Sequence, residues 1–239
     1  MKNILIGIVI VAFAAVIYFV FLNKTVEAPK IEDEIVDTTP EQLTVASSSK
    51  QILKETYEIQ FDFPVTNEEQ VNAEIKKTVD SLIKTFEEEA ISFSPHPSGF
   101  DRPYTLFGTF TPHLGNKYDT FVFLMSVDFG GAHPNHFYKT ITFDKQNSVI
   151  SIEDLVKREF GGLDAVNKIS ELVKKIISDK LAENANPEMI ADGAGPEIEN
   201  FKNFYIENEE VVFLFEPYAV AAYAYSSQEA RIKFSEIKI

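Results

Sequence analysis

The chain has no cysteine and no tryptophan among its 239 residues, and only four histidines. Without cysteine there can be no disulfide, no thiolate nucleophile and no Cys-ligated zinc. Attachment to lipid through an N-terminal cysteine is excluded as well. Without tryptophan, any surface that stacks on a sugar must use tyrosine or phenylalanine. Positive charge is also scarce: 22 Lys and Arg face 37 Asp and Glu, a net charge of -15. Such a chain repels phosphate backbones, so nucleic acid is not an expected partner. It attracts cationic proteins, although the same acidity also serves plain solubility. No GxSxG, Walker loop or GxGxxG occurs, so the usual hydrolase, nucleotide and dinucleotide signatures are missing.

What is present begins with one long apolar run. Residues 4–22, ILIGIVIVAFAAVIYFVFL, carry no charge and would span roughly 28 Å as a helix, about one hydrocarbon core. The expectation is a transmembrane signal-anchor over residues 1–22, with a cleaved signal peptide as the alternative. Lys2 lies on one side of the run and Lys24 and Lys30 on the other, so the positive-inside count does not fix orientation. Residues 23–50 are rich in Glu, Asp, Thr, Pro and Ser and read as a disordered acidic tether.

Periodic patterning starts at Gln51. Tyr57, Ile59, Phe61 and Phe63 alternate with polar residues, which predicts a half-buried strand. Thr66 and Glu69 have capping-box spacing. Val71, Ile75, Val79, Leu82, Phe86 and Ala90 then recur at helical spacing. Strands are expected over 104–112 and 119–129, with a partner strand from His136 to Phe143. Asp164 is placed as the cap of a second long helix carrying Val166, Ile169, Val173, Ile176, Ile177 and Leu181. Residues 183–199 read as a loop, and three strands close the chain. The mixed order of elements gives an α+β fold with antiparallel strands and two long amphipathic helices.

Two stretches draw attention as candidate sites. In GGAHPNHF, residues 130–137, two histidines stand three apart just beyond Asp128. Asp128, His133 and His136 could supply three ligands to a hydrolytic metal, which is one alternative reading. The spacing does not match HExxH, however, and a proline turn cannot place both imidazoles on one helix face. The structural reading has its own mechanism. Gly130 and Gly131 can adopt positive φ, Pro134 fixes φ, and Asn135 tolerates the left-handed region. His133 would then hydrogen-bond nearby backbone. The second stretch, PYAVAAYAY at 217–225, sets tyrosines among small residues. Tyr218 is expected to be buried, whereas Tyr223 and Tyr225 could form part of an aromatic ledge. The Pro- and Ser-rich loop at 91–103 adds His96 and Phe100 as further candidate contacts.

FVFLMSVDFGGAHPNHFYKTITFD, SVISIEDLV and NFYIENEEVVFLFEPYAVAAYAYSSQEARIKFSEI together resemble an extracytoplasmic domain of unknown function. That domain is shared by the anti-sigma factor RsiV and the peptidoglycan deacetylase PdaC. Residues 51–115 look like the companion domain that precedes it, and 116–239 like the domain itself. The resemblance implies a bacterial, single-pass protein with its carboxyl side outside the cytoplasmic membrane. It makes Gly130, Gly131, His133, Pro134, Pro217 and Tyr218 fold-signature residues, not catalytic ones. In RsiV such a region binds lysozyme; in PdaC it accompanies a separate catalytic domain. Neither sigma-factor control nor deacetylation is expected to carry over. The expected role is a non-catalytic binding domain for a lysozyme-like muramidase or peptidoglycan glycan, with no cofactor. Its contacts would come from His96, Phe100, His133, Asn135, His136, Tyr223 and Tyr225. A scaffold for another envelope protein is the remaining alternative.

Overall fold

The structure is a computed structural model that describes residues 43–93 and 102–238. The 4–22 run, and with it the expected transmembrane segment, lies outside the described residues. Among those described, no helix is long and apolar enough to cross a membrane.

Alternating residues build a six-stranded sheet in the order β1-β2-β3-β4-β5-β6. Its strands are β1 (Val45–Leu53), β2 (Tyr57–Thr66), β3 (Tyr104–Leu114), β4 (Tyr118–Asp128), β5 (Asn135–Asp144) and β6 (Val149–Ile150). All neighbours are antiparallel except β2 and β3, which run parallel. A parallel pair needs a crossover, and helix α1 (Glu69–Ser92) provides it. Its buried stripe of Val71, Ile75, Val79, Ile83, Phe86 and Ala90 covers one sheet face. There Ile59, Phe61, Phe121, Phe123, Ile141 and Phe143 complete the first core. Gly108 makes this packing possible, since a Cβ there would stand 2.4 Å from the Phe61 ring.

The second core belongs to the later part of the chain. Helices α2 (Ile152–Glu159) and α3 (Ala165–Leu181) precede α4 (Pro187–Gly193). Strands β7 (Phe204–Glu207), β8 (Glu210–Phe215) and β9 (Gln228–Lys233) form an antiparallel sheet. Ile169, Val173 and Ile177 of α3 pack with Val211, Phe213 and Ile232 of that sheet. A small cluster of Val122, Tyr205, Val212 and Leu214 joins the two sheets.

The α+β architecture thus follows the sequence reading, and several details depart from it. Residues 45–50, assigned to the tether, form most of β1. Their serines fit an edge strand, which needs only ladder bonds on one side and a few apolar anchors. Val45 and Ile52 supply the anchors, and Lys50 reaches Asp80 at 3.2 Å. The division expected between 115 and 116 falls in the β3–β4 turn, inside one sheet. From Gln42 to Ile239 the chain is one compact unit, and the seam between its cores lies near β6 instead. The capping box at Thr66 does not form. Thr66 Oγ1 instead accepts from Glu68 N at 3.1 Å, and Asn72 Oδ1 takes the Thr66 amide at 2.7 Å. Asp164 precedes α3 without a side-chain cap. The 183–199 loop contains α4, which starts with Pro187 in its first turn and Asn186 Oδ1 accepting from Glu188 N and Met189 N. That pattern is a helix start, hidden in the sequence by its acidic, glycine-containing surroundings.

Candidate functional site

Strands β4 and β5 meet at the GGAHPN turn, and the turn is built from its own residues. Asp128 Oδ1 accepts from Gly130 N at 2.8 Å, an Asx-type closure. Gly130 takes φ of 83°, the left-handed region that glycine enters without a steric penalty. Gly131 does not share that conformation, contrary to the expectation for both glycines. Asp128 is buried, and its other oxygen meets Arg102 Nη2 at 2.6 Å. Its carboxylate is therefore engaged twice. Among the described residues, no three His, Asp or Glu groups come together as a metal-holding cluster. The Asp128, His133 and His136 alternative has no such geometry here.

His133 is pinned as the turn chemistry requires. Its Nδ1 lies 3.1 Å from the Pro134 carbonyl. A carbonyl only accepts, so Nδ1 carries the proton. The same carbonyl accepts the hydroxyl of Tyr223 at 3.0 Å. The two rings then stack, with centroids 3.6 Å apart and planes 20° apart. Tyr218 joins them, 5.6 Å from Tyr223 and 6.4 Å from His133. Residues nearly ninety apart in sequence thus make one aromatic ledge.

Tyr218 corrects the expectation of burial. It is 56% exposed and takes φ of 71°. The segment turns sharply there: Ala219 N donates to Glu216 O, and Tyr218 N to Ala221 O, both at 3.0 Å. The small apolar residues go inward instead, with Val220 and Ala221 buried in the second core. Gly193 at the end of α4 permits this, because a Cβ there would be 1.8 Å from Ala219 O. A bulky residue at positive φ is a strained choice. Here it holds an aromatic ring outward.

The remaining candidates separate. His136 lies on β5 opposite Ser126, and Asn135 opposite Val127; neither has a ring contact with the ledge. Tyr225 is 39% exposed in the 3-10 turn Tyr223–Tyr225, where its carbonyl accepts from Gln228 Nε2 at 2.5 Å. His96 and Phe100 lie outside the described residues. The sequence reading missed a second feature, an apolar trough of about 710 Å³ lined by Phe86, Met125, Val127 and Phe137. Phe137 was legible as a strand residue, but not as one that α1 leaves uncovered.

Comparison with known proteins now bears on the ledge. Residues 153–235 match a family described as "Protein of unknown function (DUF3298)". The chain resembles DUF3298. The matched stretch runs from α2 to the end of the last sheet, so it contains Tyr218 and Tyr223, while the GGAHPN turn precedes it. The peptidoglycan-N-acetylmuramic acid deacetylase PdaC of Bacillus subtilis is 24% identical over 184 residues. That alignment covers 77% of this chain and 38% of PdaC. A DUF3298 protein of Bacteroides fragilis superposes with a TM-score of 0.53 at 15% identity, over 80% of this chain and 91% of that one. A second, from Pseudomonas aeruginosa, gives 0.54 at 12% identity, over 82% and 91%. These structural likenesses concern the fold. The DUF3298-like part therefore supplies the tyrosines, and the preceding hairpin supplies the histidine on which they stack.

Proposed function

We propose that this protein is a non-catalytic module of the bacterial cell envelope that binds peptidoglycan glycan on the His133–Tyr218–Tyr223 ledge. The apolar 4–22 run would hold it on the outer side of the cytoplasmic membrane. The observation that carries the reading is the exposed ring of Tyr218, held at positive φ beside two stacked rings. Strain at one side chain motivates a functional hypothesis when the fold could have used a relaxed residue there. Aromatic faces bind the apolar faces of sugars, and the Tyr218 hydroxyl and His133 Nε2 can meet sugar hydroxyls. The similarity to PdaC, whose printed name refers to peptidoglycan, supports the choice of ligand.

The test is co-sedimentation with purified, insoluble peptidoglycan. Binding should weaken about tenfold in Tyr218→Ala, the loss of one aromatic contact worth roughly 1 kcal/mol or slightly more. Unchanged sedimentation of that variant would remove the ledge from the reading. Release of acetate or of reducing ends from the polymer would overturn the non-catalytic assignment. The net charge of -15 favours a second ligand, a cationic lysozyme-like protein drawn in by long-range attraction. Retention of lysozyme at low salt, lost at high salt and indifferent to Tyr218→Ala, would transfer the function to that ligand.

A further inference from the structure

One face of the six-stranded sheet packs against α1, and the strand registers define the other. Gln51 pairs with Gln60, Gln60 with Phe107, Phe107 with Ser126 and Ser126 with His136. Residues directly opposite each other share a face, so these five side chains form one row from β1 to β5. Phe61, Phe123 and Met125 lie under α1. Each row residue is out of step with them along its strand, which puts the row on the opposite face. At about 4.8 Å between strands, the row is roughly 19 Å long.

The row is open, and it contains no Lys, Arg, Asp or Glu although 25% of the chain is charged. Gln51, Gln60 and Phe107 are exposed, Phe107 by 47%, and Ser126 and His136 are half-buried. Leu124, on the neighbouring row, stands diagonally beside Phe107 and is also exposed. The row leads to the ledge. His136 is two residues along β5 from Pro134, whose carbonyl holds both His133 and Tyr223. The second sheet packs on this same face at Val122 and Tyr138, and the ledge segment follows directly from its middle strand β8.

The chemistry of the row narrows its occupant. Amides, a hydroxyl and an imidazole exchange hydrogen bonds with sugar hydroxyls, and an exposed phenyl face takes the apolar face of a sugar ring. An apolar partner would find one large hydrophobic side chain among the five. A second copy of a chain with net charge -15 is repelled, the more so because Glu58 and Asp62 flank Gln60 on this face.

We propose that the row from His136 through Phe107 to Gln51 continues the ledge, so that one glycan strand lies on both, with its further sugar rings crossing β5 to β1. The inference rests on glycan binding at the ledge and adds a length requirement to it.

The probes are a disaccharide and an octasaccharide cut from peptidoglycan and freed of stem peptides. Titrated into the isotopically labelled full chain, the octasaccharide should bind about tenfold tighter than the disaccharide. It should also shift the amide signals of Gln60 and Phe107, which the disaccharide leaves unmoved. Phe107→Ala should cut octasaccharide affinity about tenfold by removing one aromatic contact, with Tm and disaccharide affinity unchanged. Phe107→Tyr should retain the affinity, and Tyr218→Ala should weaken both probes. Equal affinity for the two lengths would overturn the extension and leave the ledge standing. So would octasaccharide binding that is unaltered in Phe107→Ala but weakened in Tyr218→Ala. Failure of the unaltered chain to bind either probe would overturn the ledge reading and this one with it. A sedimentation coefficient that falls in Phe107→Ala while glycan affinity holds would make the row a contact between copies and overturn the proposal. Should Phe107→Ala not fold, Gln60→Ala must show a loss confined to the octasaccharide, and the absence of that loss would count against the row.

Discussion

The β4–β5 hairpin has two ends, and they are built differently. At one end Tyr118 and Asp119 pair with Asp144 and Phe143, and each buried acid there has a cation. Lys145 reaches Asp119 at 2.7 Å, Arg158 reaches Asp144 at 2.9 Å, and Lys117 reaches Glu159 at 3.2 Å. The Tyr118 hydroxyl donates to Glu159 at 2.9 Å, and burial together with that carboxylate pushes its pKa up to about 12. Burial alone would raise the Asp144 carboxyl. Arg158 and the amides of Ser148 and Gln146 outweigh it and hold the group below its ordinary range. At the other end the Asp128–Arg102 pair closes the turn, and beyond it a strained tyrosine faces solvent. One end is satisfied and stabilises the fold. The other keeps strain and exposed aromatic surface, the usual mark of a binding site.

Four experiments break or sharpen this contrast. Gly193→Ala should have the largest effect, because the added methyl meets the Ala219 carbonyl and backbone must move. A loss of about 3 kcal/mol in denaturant unfolding is expected, along with loss of peptidoglycan binding, since the ledge segment is displaced. Asp144→Ala comes next. It strands Arg158 and two loop amides and should lower stability by roughly 2 kcal/mol while leaving ligand binding intact. If binding falls instead, the two ends are coupled and the contrast fails.

Tyr218→Gly should act in the opposite direction at the ledge. Relief of positive φ should stabilise the fold by about 1 kcal/mol, seen as a higher Tm, while peptidoglycan binding falls. A variant that loses binding without gaining stability would show that the tyrosine is not strained. The smallest effect concerns pH. His113 stacks on Tyr205 at 3.7 Å. Burial lowers its pKa from 6.5, with Glu207 and Glu229 opposing and Arg231 adding to the shift. The unfolded chain therefore takes up the proton first. Stability from this site is complete above pH 6.5 and declines as pH falls toward the folded value. Asp144, with its lowered value, adds a further loss only as pH passes below the ordinary carboxylate range. His113→Phe should flatten the upper part of that profile in urea titrations and leave the lower part unchanged.

Much of the fold was legible because it rests on periodicity. The strand at Tyr57–Thr66, the helix stripe from Val71 to Ala90 and the strands from Phe204 to Phe215 each carry their period in a few consecutive residues. The start of α2 is equally local, since Ser151 and Asp154 bond each other's backbone within one turn. The tight contact of His133 with the Pro134 carbonyl was local and could be anticipated. β1 could not, because its serines gain a strand only from the partner beside them.

The ledge and the apolar trough are of another kind. Which way Tyr218 faces is set by where Val220 finds room against α4, and that room exists because Gly193 lacks a side chain. Whether Phe137 is covered depends on how far α1 extends over the sheet. The amino-acid order by itself determined the long periodic strands and helices and the acidic, cysteine-free character of the molecule, since periodicity depends on neighbours a few residues away and composition on no structure at all. Tertiary packing alone decided which aromatics are exposed and which are covered, because that depends on the space that distant segments leave unfilled.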